Sequence, residues 1–223
     1  MANLYGRITR PLRDHFQRKR CEWFLRVVPW EALSNVVDVG GTPDFWRRLG
    51  GNKPVTLVNS DPGELRGYEG YAALVGDGRA LDFPSQSFDL AYSNSVIEHV
   101  GEHGDMEAFA SELRRVGKSY WCQTPNKWFP LEPHLGTLFI HWYPPLLRIY
   151  PVVRYMTLWG VLNKPSRAGA AIAIANINMI GRRRFKALFP DAKILVERWW
   201  GMSKSFIAVR LDEGARTANR PGA

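Results

Sequence analysis

Residues 35–46 read NVVDVGGTPDFW. A β-branched run ends in Asp38, and Gly40 and Gly41 follow at once. That is a strand running into a tight turn, where glycine lets the backbone pass close to a neighbour that a Cβ would strike. Glycine-rich ligand loops of α/β folds place another glycine or two in the next positions. Here Thr42, Pro43 and Asp44 stand there instead. Pro43 fixes φ and removes an N–H donor, so the loop is not a flexible glycine turn. Asp44 is placed to cap the helix that follows. The stretch reads as a shortened or re-routed loop that keeps two essential glycines and offers the Thr42 hydroxyl where backbone would otherwise stand.

Working outward, the chain alternates. Strands are predicted at Asn35 to Val39, KPVTLVN (53–59), YAALVGD (71–77), SFDLAYSNS (87–95) and KSYWCQTP (118–125). A brief helix lies over DFWRRLG (44–50), and a longer one over 104–116 carries Met106, Phe109, Leu113 and Val116 on one face. Strand, helix, strand in this rhythm implies a parallel sheet with right-handed crossovers. Upstream, residues 11–28 set Leu12, Phe16, Trp23, Phe24 and Val27 among basic residues, an amphipathic helix that Pro29 stops. Residues 126–177 are rich in Trp, Pro and Tyr without a strand pattern, and read as an insertion of short helices. A helix at 178–188 and two β runs, AKILVERWW and KSFIAVRL, complete the pattern. Joined through Gly201, these runs form an antiparallel pair at the sheet edge. The domain plan is therefore an N-terminal helix (1–30), one domain over 31–212 with a cap insertion at about 126–177, and a small polar tail over 213–223 expected to be disordered.

The bulk numbers agree. At 223 residues and 45% hydrophobic, the chain can bury the core of one sizeable α/β domain. Its formal charge is +9, which favours phosphates, nucleic acid or an anionic membrane surface. The charge is spread over a solvated face rather than blocked into a tail, apart from the N-terminal helix and Arg182, Arg183 and Arg184. Cys21 and Cys122 have neither metal nor redox spacing, which fits a reducing cytoplasm. No signal peptide is expected, because the first 30 residues are charged and lack an unbroken apolar core. The stretch from Leu138 to Val161 is broken by Pro144, Pro145, Arg148, Pro151 and Arg154, so it can touch a bilayer surface but not cross one.

In an open α/β sheet, ligands sit beyond the carboxyl ends of the strands. Those ends carry Asp38-Val39-Gly40-Gly41, then Asn59-Ser60-Asp61, then Gly76-Asp77-Gly78-Arg79, then Ser93-Asn94-Ser95 with Ile97-Glu98-His99-Val100, then Gln123-Thr124-Pro125-Asn126. The stretch GDGRALDFPSQSFDLAYSNSVIEHV (76–100) resembles the central part of class I S-adenosylmethionine (SAM)-dependent methyltransferases of the small-molecule, type 11-like kind. With VVDVGG upstream the resemblance covers about residues 35–125, and FPDAKILVERWWGMSKSFIAVR is similar to that family's last two strands. It implies a Rossmann-like α/β fold: a mostly parallel seven-stranded sheet with an antiparallel last strand. SAM is the implied cofactor, with S-adenosylhomocysteine as product.

The resemblance also implies roles. The Gly40–Gly41 turn, with Thr42, would face the methionine end of SAM, and Asp38 would help to place its ammonium. The second strand of the family ends in an acid that takes both ribose hydroxyls; here Asn59 stands there, with Ser60 next and Asp61 as a substitute. Asp77 would take the adenine amino group, flanked by Gly78 and Arg79, and Ser93 and Asn94 would complete the cofactor set. His99, supported by Glu98, is the candidate general base, since its natural pKa suits that task.

The insertion would cover the acceptor. Asn126, Trp128, Glu132, His134, His141 and Trp142 are its candidate substrate contacts, with Phe129 and Tyr143 as further aromatic walls. This composition suits a small apolar or aromatic acceptor, with O-methylation favoured and carbon or nitrogen acceptors open. Glu132, His134 and His141 match no strong metal spacing, so no metal is expected. Two other readings compete: an RNA methyltransferase, motivated by the charge, and a non-catalytic SAM-fold scaffold, motivated by the altered loop and Asn59. No specific nucleic-acid partner is expected, because no separate RNA-binding module is visible and TPN (124–126) is not a base-gripping set. A cytoplasmic monomer or homodimer is expected, with peripheral membrane contact through the basic helix and the aromatic segment as a further option.

Overall fold

The computed structural model describes residues 4–50, 53–65, 70–132, 134–142, 150–175 and 178–218. Its frame is a sheet in which every interior strand is covered on both sides. The strands β1 (Val36–Val39), β2 (Val55–Asn59), β3 (Ala72–Val75), β4 (Phe88–Asn94) and β5 (Gly117–Pro125) run parallel. A small ribbon follows, β6 (Leu131–Glu132) against β7 (Thr137–Leu138). The main sheet closes with β8 (Lys193–Trp199) and β9 (Met202–Arg210), giving the order β3-β2-β1-β4-β5-β9-β8 over seven strands. β9 is antiparallel to both β5 and β8.

Strand side chains alternate faces, and the two faces carry separate cores. Val37, Val39, Val58, Ala91, Tyr120, Cys122 and Ala208 pack beneath α3 (His103–Val116) and α7 (Arg182–Leu188), meeting Met106, Phe109, Leu113 and Phe185. Val36, Val55, Leu57, Leu90, Tyr92, Trp121 and Ile207 face α1 (Leu4–Val27) and α2 (Pro43–Leu49). Phe24 of α1 is the hub of this second core. It is fully buried and makes edge-on ring contacts with Trp30, Phe45, Trp46, Tyr92 and Trp121, with centroids 5.5–6.0 Å apart. Lower along α1, Phe16 packs on Trp199 and lies under the Lys204 ammonium at 3.7 Å. Arg20 donates to Asn94 Oδ1 at 2.9 Å and stands 3.9 Å from the buried Glu197.

The insertion has its own small core. Leu135, Ile140, Val153, Ala170 and Met179 bury one another, with Tyr150 and Trp159 at the margin. It is built from α4 (Tyr150–Met156), α5 (Leu158–Asn163) and α6 (Arg167–Ala175).

The structure departs from the sequence reading at several ends. The first helix starts at Leu4 rather than at residue 11, with Pro11 inside its second turn. The insertion, expected to have no strand, contains the β6–β7 ribbon. The helix expected from 178 begins at Arg182, because Ile180 forms a parallel bridge to Asn126. The tail expected to be disordered holds a helix, α8 (Glu213–Ala218), whose first turn is tied by Ala215 N–H to Asp212 Oδ1 at 2.8 Å. Residues 219–223 and Tyr143 lie outside the described residues. Cys21 and Cys122 are free and buried. Among the described residues, no helix is long and apolar enough to cross a membrane.

Because Phe24 touches every aromatic ring of its core, Phe24→Ala should cost about 3–5 kcal/mol. A urea titration checks this as a lowered midpoint at unchanged slope.

Candidate functional site

The carboxyl ends of β1 to β4 enclose a cleft of about 420 Å³. Its floor is Val39 and Gly40 at the end of β1, and one side is Val58, Asn59 and Ser60 at the end of β2. Gly76, Asp77, Gly78 and Arg79 follow β3, while Ser95, Val96, His99 and Val100 follow β4. Phe109 of α3 backs the cleft.

Two glycines are required by close approach. Gly40 has φ +77°, and a Cβ there would lie 2.5 Å from Val96 Cγ1. A Cβ on Gly78 would lie 2.6 Å from the Phe109 ring. Gly41 serves a different purpose: the space its Cβ would fill holds the Asp38 carboxylate.

Alternation explains where Asp38 goes. It shares the face of Val36, so its side chain turns under α2 and not into the cleft. Trp46 Nε1–H donates to its Oδ2 at 2.7 Å, and Oδ1 is buried without a hydrogen-bond partner among the described residues. Burial pushes Asp38 from its ordinary 3.8 up to about 7, against the opposing pull of the Trp46 bond. Thr42 is exposed and is the N-cap position of α2, with no side-chain cap hydrogen bond. Asp44 does not cap; it sits in the first turn, behind Pro43.

On β2, Asn59 lines the cleft and its Oδ1 accepts the Asp61 N–H at 3.1 Å. Asp61 does not reach the cleft: its Oδ1 accepts Gly63 N–H at 2.7 Å to close the next turn. Asp77 is gripped by Arg79, whose Nη2 donates at 2.7 Å and whose backbone N–H donates at 2.9 Å. Those bonds hold the carboxyl below its ordinary pKa. Arg79 also reaches Asp105 at 2.7 Å, fixing the turn to α3.

Ser93 and Asn94 are engaged elsewhere. Ser93 Oγ–H donates to Val39 O within the sheet, and Asn94 accepts from Arg20 on the opposite face. The next residue, Ser95, is the cleft wall, held at φ +57° with its hydroxyl donating to Gln123 Oε1 at 2.8 Å. Left-handed backbone is unusual for serine and marks an over-determined site. In the sequence Ser95 stands only as part of the fourth strand tip and Phe109 only as a core residue of the helix over 104–116, and neither is assigned to the cofactor set. The SNS run after a strand was the available signal for the first, and nothing in the pattern pointed to the second.

Beyond Ser95 lies a cluster of ionisable groups. Glu98 is fully buried; Thr124 Oγ1–H donates to its Oε2 at 2.9 Å, while Oε1 has no hydrogen-bond partner among the described residues. Burial pushes Glu98 up to about 7. His99 is exposed, and its Nε2 lies 3.0 Å from His134 Nε2. His134 Nδ1 lies 2.5 Å from Oε1 of the buried Glu132, which also accepts the His134 N–H, while Oε2 takes the Leu135 N–H. Burial acts against the charged His134 ring, but the Glu132 carboxylate prevails and holds its pKa above the ordinary value.

The remaining insertion residues divide. Asn126 is structural, donating to Ser203 O and accepting from Trp128 N–H. Trp128 and Trp142 are exposed and 6.3 Å apart, and Trp142 Nε1–H donates to Lys127 O. His141 lines a second cavity of about 420 Å³ with Met106, Lys127, Met179 and Ile180, next to Gly101. The residues expected to cover an acceptor thus fall into a pair behind the cleft residue His99 (His134, with the buried Glu132), a group at the neighbouring cavity (His141) and an outer pair (Trp128, Trp142).

The sheet order and the position of the cleft define a Rossmann-like methyltransferase fold. Residues 40–120 match the family model described as methyltransferase domain. Solved structures agree on the fold. A SAM-dependent methyltransferase of Methanosarcina mazei is 14% identical, at a TM-score of 0.50 over 80% of this chain and 93% of its own. The PH0226 protein of Pyrococcus horikoshii is 14% identical, at 0.55 over 88% and 91%. The N-methyltransferase NodS of Bradyrhizobium japonicum, solved with S-adenosylhomocysteine, is 12% identical, at 0.52 over 87% and 86%. Among curated proteins, Rv1509 and MT1557 of two Mycobacterium tuberculosis strains are 39% identical over 59 residues; that match spans 26% of this chain and 20% of theirs.

The buried Asp38 makes stability depend on pH. Its folded pKa is raised, so the protonated form is held more tightly in the folded state. The contribution is full below the ordinary 3.8 and is lost as pH rises to about 7. Asp38→Asn keeps an oxygen for Trp46 and removes this loss. Thermal melts should show the variant more stable relative to the parent above about pH 8 than below about pH 4.

Proposed function

We propose that the chain transfers a methyl group from S-adenosylmethionine to a small apolar or aromatic acceptor, on oxygen in preference to nitrogen or carbon. One observation carries the reading: the tips of β1, β2 and β3 bring Gly40, Asn59 and Asp77 to a single cleft. Its volume lies in the range of small-molecule sites, about 300–1,000 Å³. The groups also suit the ligand. Asp77 offers carboxylate lone pairs beside backbone N–H groups, which fits an adenine edge. Asn59 offers an amide to ribose hydroxyls, and Gly40 leaves its turn open to a chain passing over it.

S-adenosylmethionine, when bound, supplies a methyl group already activated on sulfur. The protein then has to hold and orient the partners. Asp77, fixed by Arg79, and the Ser95 wall define the position of the nucleoside end. His99 lines the cleft where it turns toward the insertion, with His134 against it and the buried Glu98 behind, so an acceptor meets His99 first. A hydroxyl acceptor loses its proton on methylation, and this polar cluster is placed to manage that charge; that is why oxygen is preferred here. The cavity beside His141 and Met179 is room for the acceptor's apolar part.

The scaffold reading draws on the same contacts, since Asp77 and Asn59 each already have a protein partner. Calorimetry with S-adenosylhomocysteine separates the two. The enzyme reading expects saturable binding that Asp77→Ala weakens by about tenfold or more, and that Asn59→Asp strengthens several-fold, because a charged acceptor forms the stronger hydrogen bond. No heat at millimolar ligand would leave the scaffold reading in its place.

A further inference from the structure

We propose that Glu98, His99 and His134 bind a divalent transition-metal ion, with zinc the best match, at the rim of the cleft. The candidate donor atoms, one from each residue, all lie within 4.8 Å of one another. The two imidazole Nε2 atoms are 3.0 Å apart. Tetrahedral zinc with nitrogen donors at about 2.0–2.1 Å sets its ligands roughly 3.3 Å apart, so the pair needs to open by only a few tenths of an ångström.

Three features distinguish this cluster from a chance pair of histidines. First, Glu132 presents its carboxylate to His134 Nδ1. An ionised carboxylate only accepts, so Nδ1 keeps a proton, and the neutral ring that a metal selects turns its Nε2 lone pair to the cluster. A carboxylate behind a ligating histidine is the usual way proteins fix that tautomer and ring orientation. Second, Glu98 has one oxygen satisfied by Thr124 and the other buried without a hydrogen-bond partner among the described residues. Such an atom is costly to bury, and a cation would satisfy it. Third, the donor set is two imidazoles and one carboxylate. That suits zinc, iron or cobalt, whereas magnesium and calcium prefer all-oxygen shells. Three protein donors also leave a coordination position open, beside the cleft that His99 lines.

The sequence hides this set. Glu98 and His99 are adjacent on the turn after β4, and His134 comes from the ribbon of the insertion, 35 residues beyond His99. Closed structural zinc sites space their ligands in short pairs, so no spacing rule finds it. Glu132, which sequence reading considered as a ligand, stands behind one instead, and His141 lines the neighbouring cavity.

An ion here would also give an acceptor oxygen a place to coordinate. That role rests on the methyltransferase reading; the ion's binding does not. The test uses the purified full chain, stripped with a chelator, without nucleotide. Cobalt(II) should bind saturably with visible d–d absorption, and zinc should displace it. His99→Ala, at an exposed position where folding is not at stake, and His134→Ala should each weaken uptake by at least about tenfold, and Glu132→Gln by about ten- to a hundredfold. His15→Ala, on the exposed side of α1, should leave uptake unchanged. No saturable uptake at millimolar cobalt, or uptake indifferent to His99→Ala, overturns the proposal. S-adenosylhomocysteine calorimetry on the metal-free protein keeps the two readings separate: cobalt uptake without nucleotide binding leaves the metal site standing alone, and the reverse leaves the methyltransferase without its ion.

Discussion

Coverage of the sheet on both faces is the constraint on which the rest depends. Once helices pack on each side, the two-residue period of a strand decides which side chains enter a core and which reach the strand tips. On β1 that rule sends Val37 and Val39 toward α3 and α7, and Val36 and Asp38 toward α1 and α2. On β4 it sends Ser93 inward and Asn94 across to Arg20. The cleft is formed by the last paired residues Val39, Val58 and Asn59 together with those just past them, where alternation no longer applies: Gly40, Ser60, Gly76 to Arg79, and Ser95.

The fold was largely legible because it depends on patterns the chain states locally. Short β-branched runs, glycines at their ends and an apolar face on 103–116 suffice to define parallel strands and crossovers. What escaped has tertiary causes. The β6–β7 ribbon is two residues per strand, too short to show a period. The first helix continues back to Leu4 because Tyr5 finds burial against the insertion at Gly136, a contact no local window contains. The α8 turn depends on Asp212, which also receives Ser119 Oγ from 93 residues away.

The cleft was legible by position and only in part by contact. Strand tips identified Gly40, Asn59, Asp77 and His99 as residues that share one place, and they do. Which way a side chain turns was not legible, because it follows from partners that the strand pattern does not name. Trp46 takes Asp38, Arg79 takes Asp77, and Thr124 takes Glu98. The pairing of His99 with His134 belongs to the same class, since it exists only once the insertion folds back over the turn after β4.

Arg20 joins the N-terminal helix to Asn94, the residue just before the left-handed Ser95. The rim of the cleft is therefore anchored, one peptide bond away, to a helix whose outer side carries Leu4, Ile8 and Leu12 in solvent. One helix, α1, therefore carries both the hub of the aromatic core and a direct tie to the wall of the pocket.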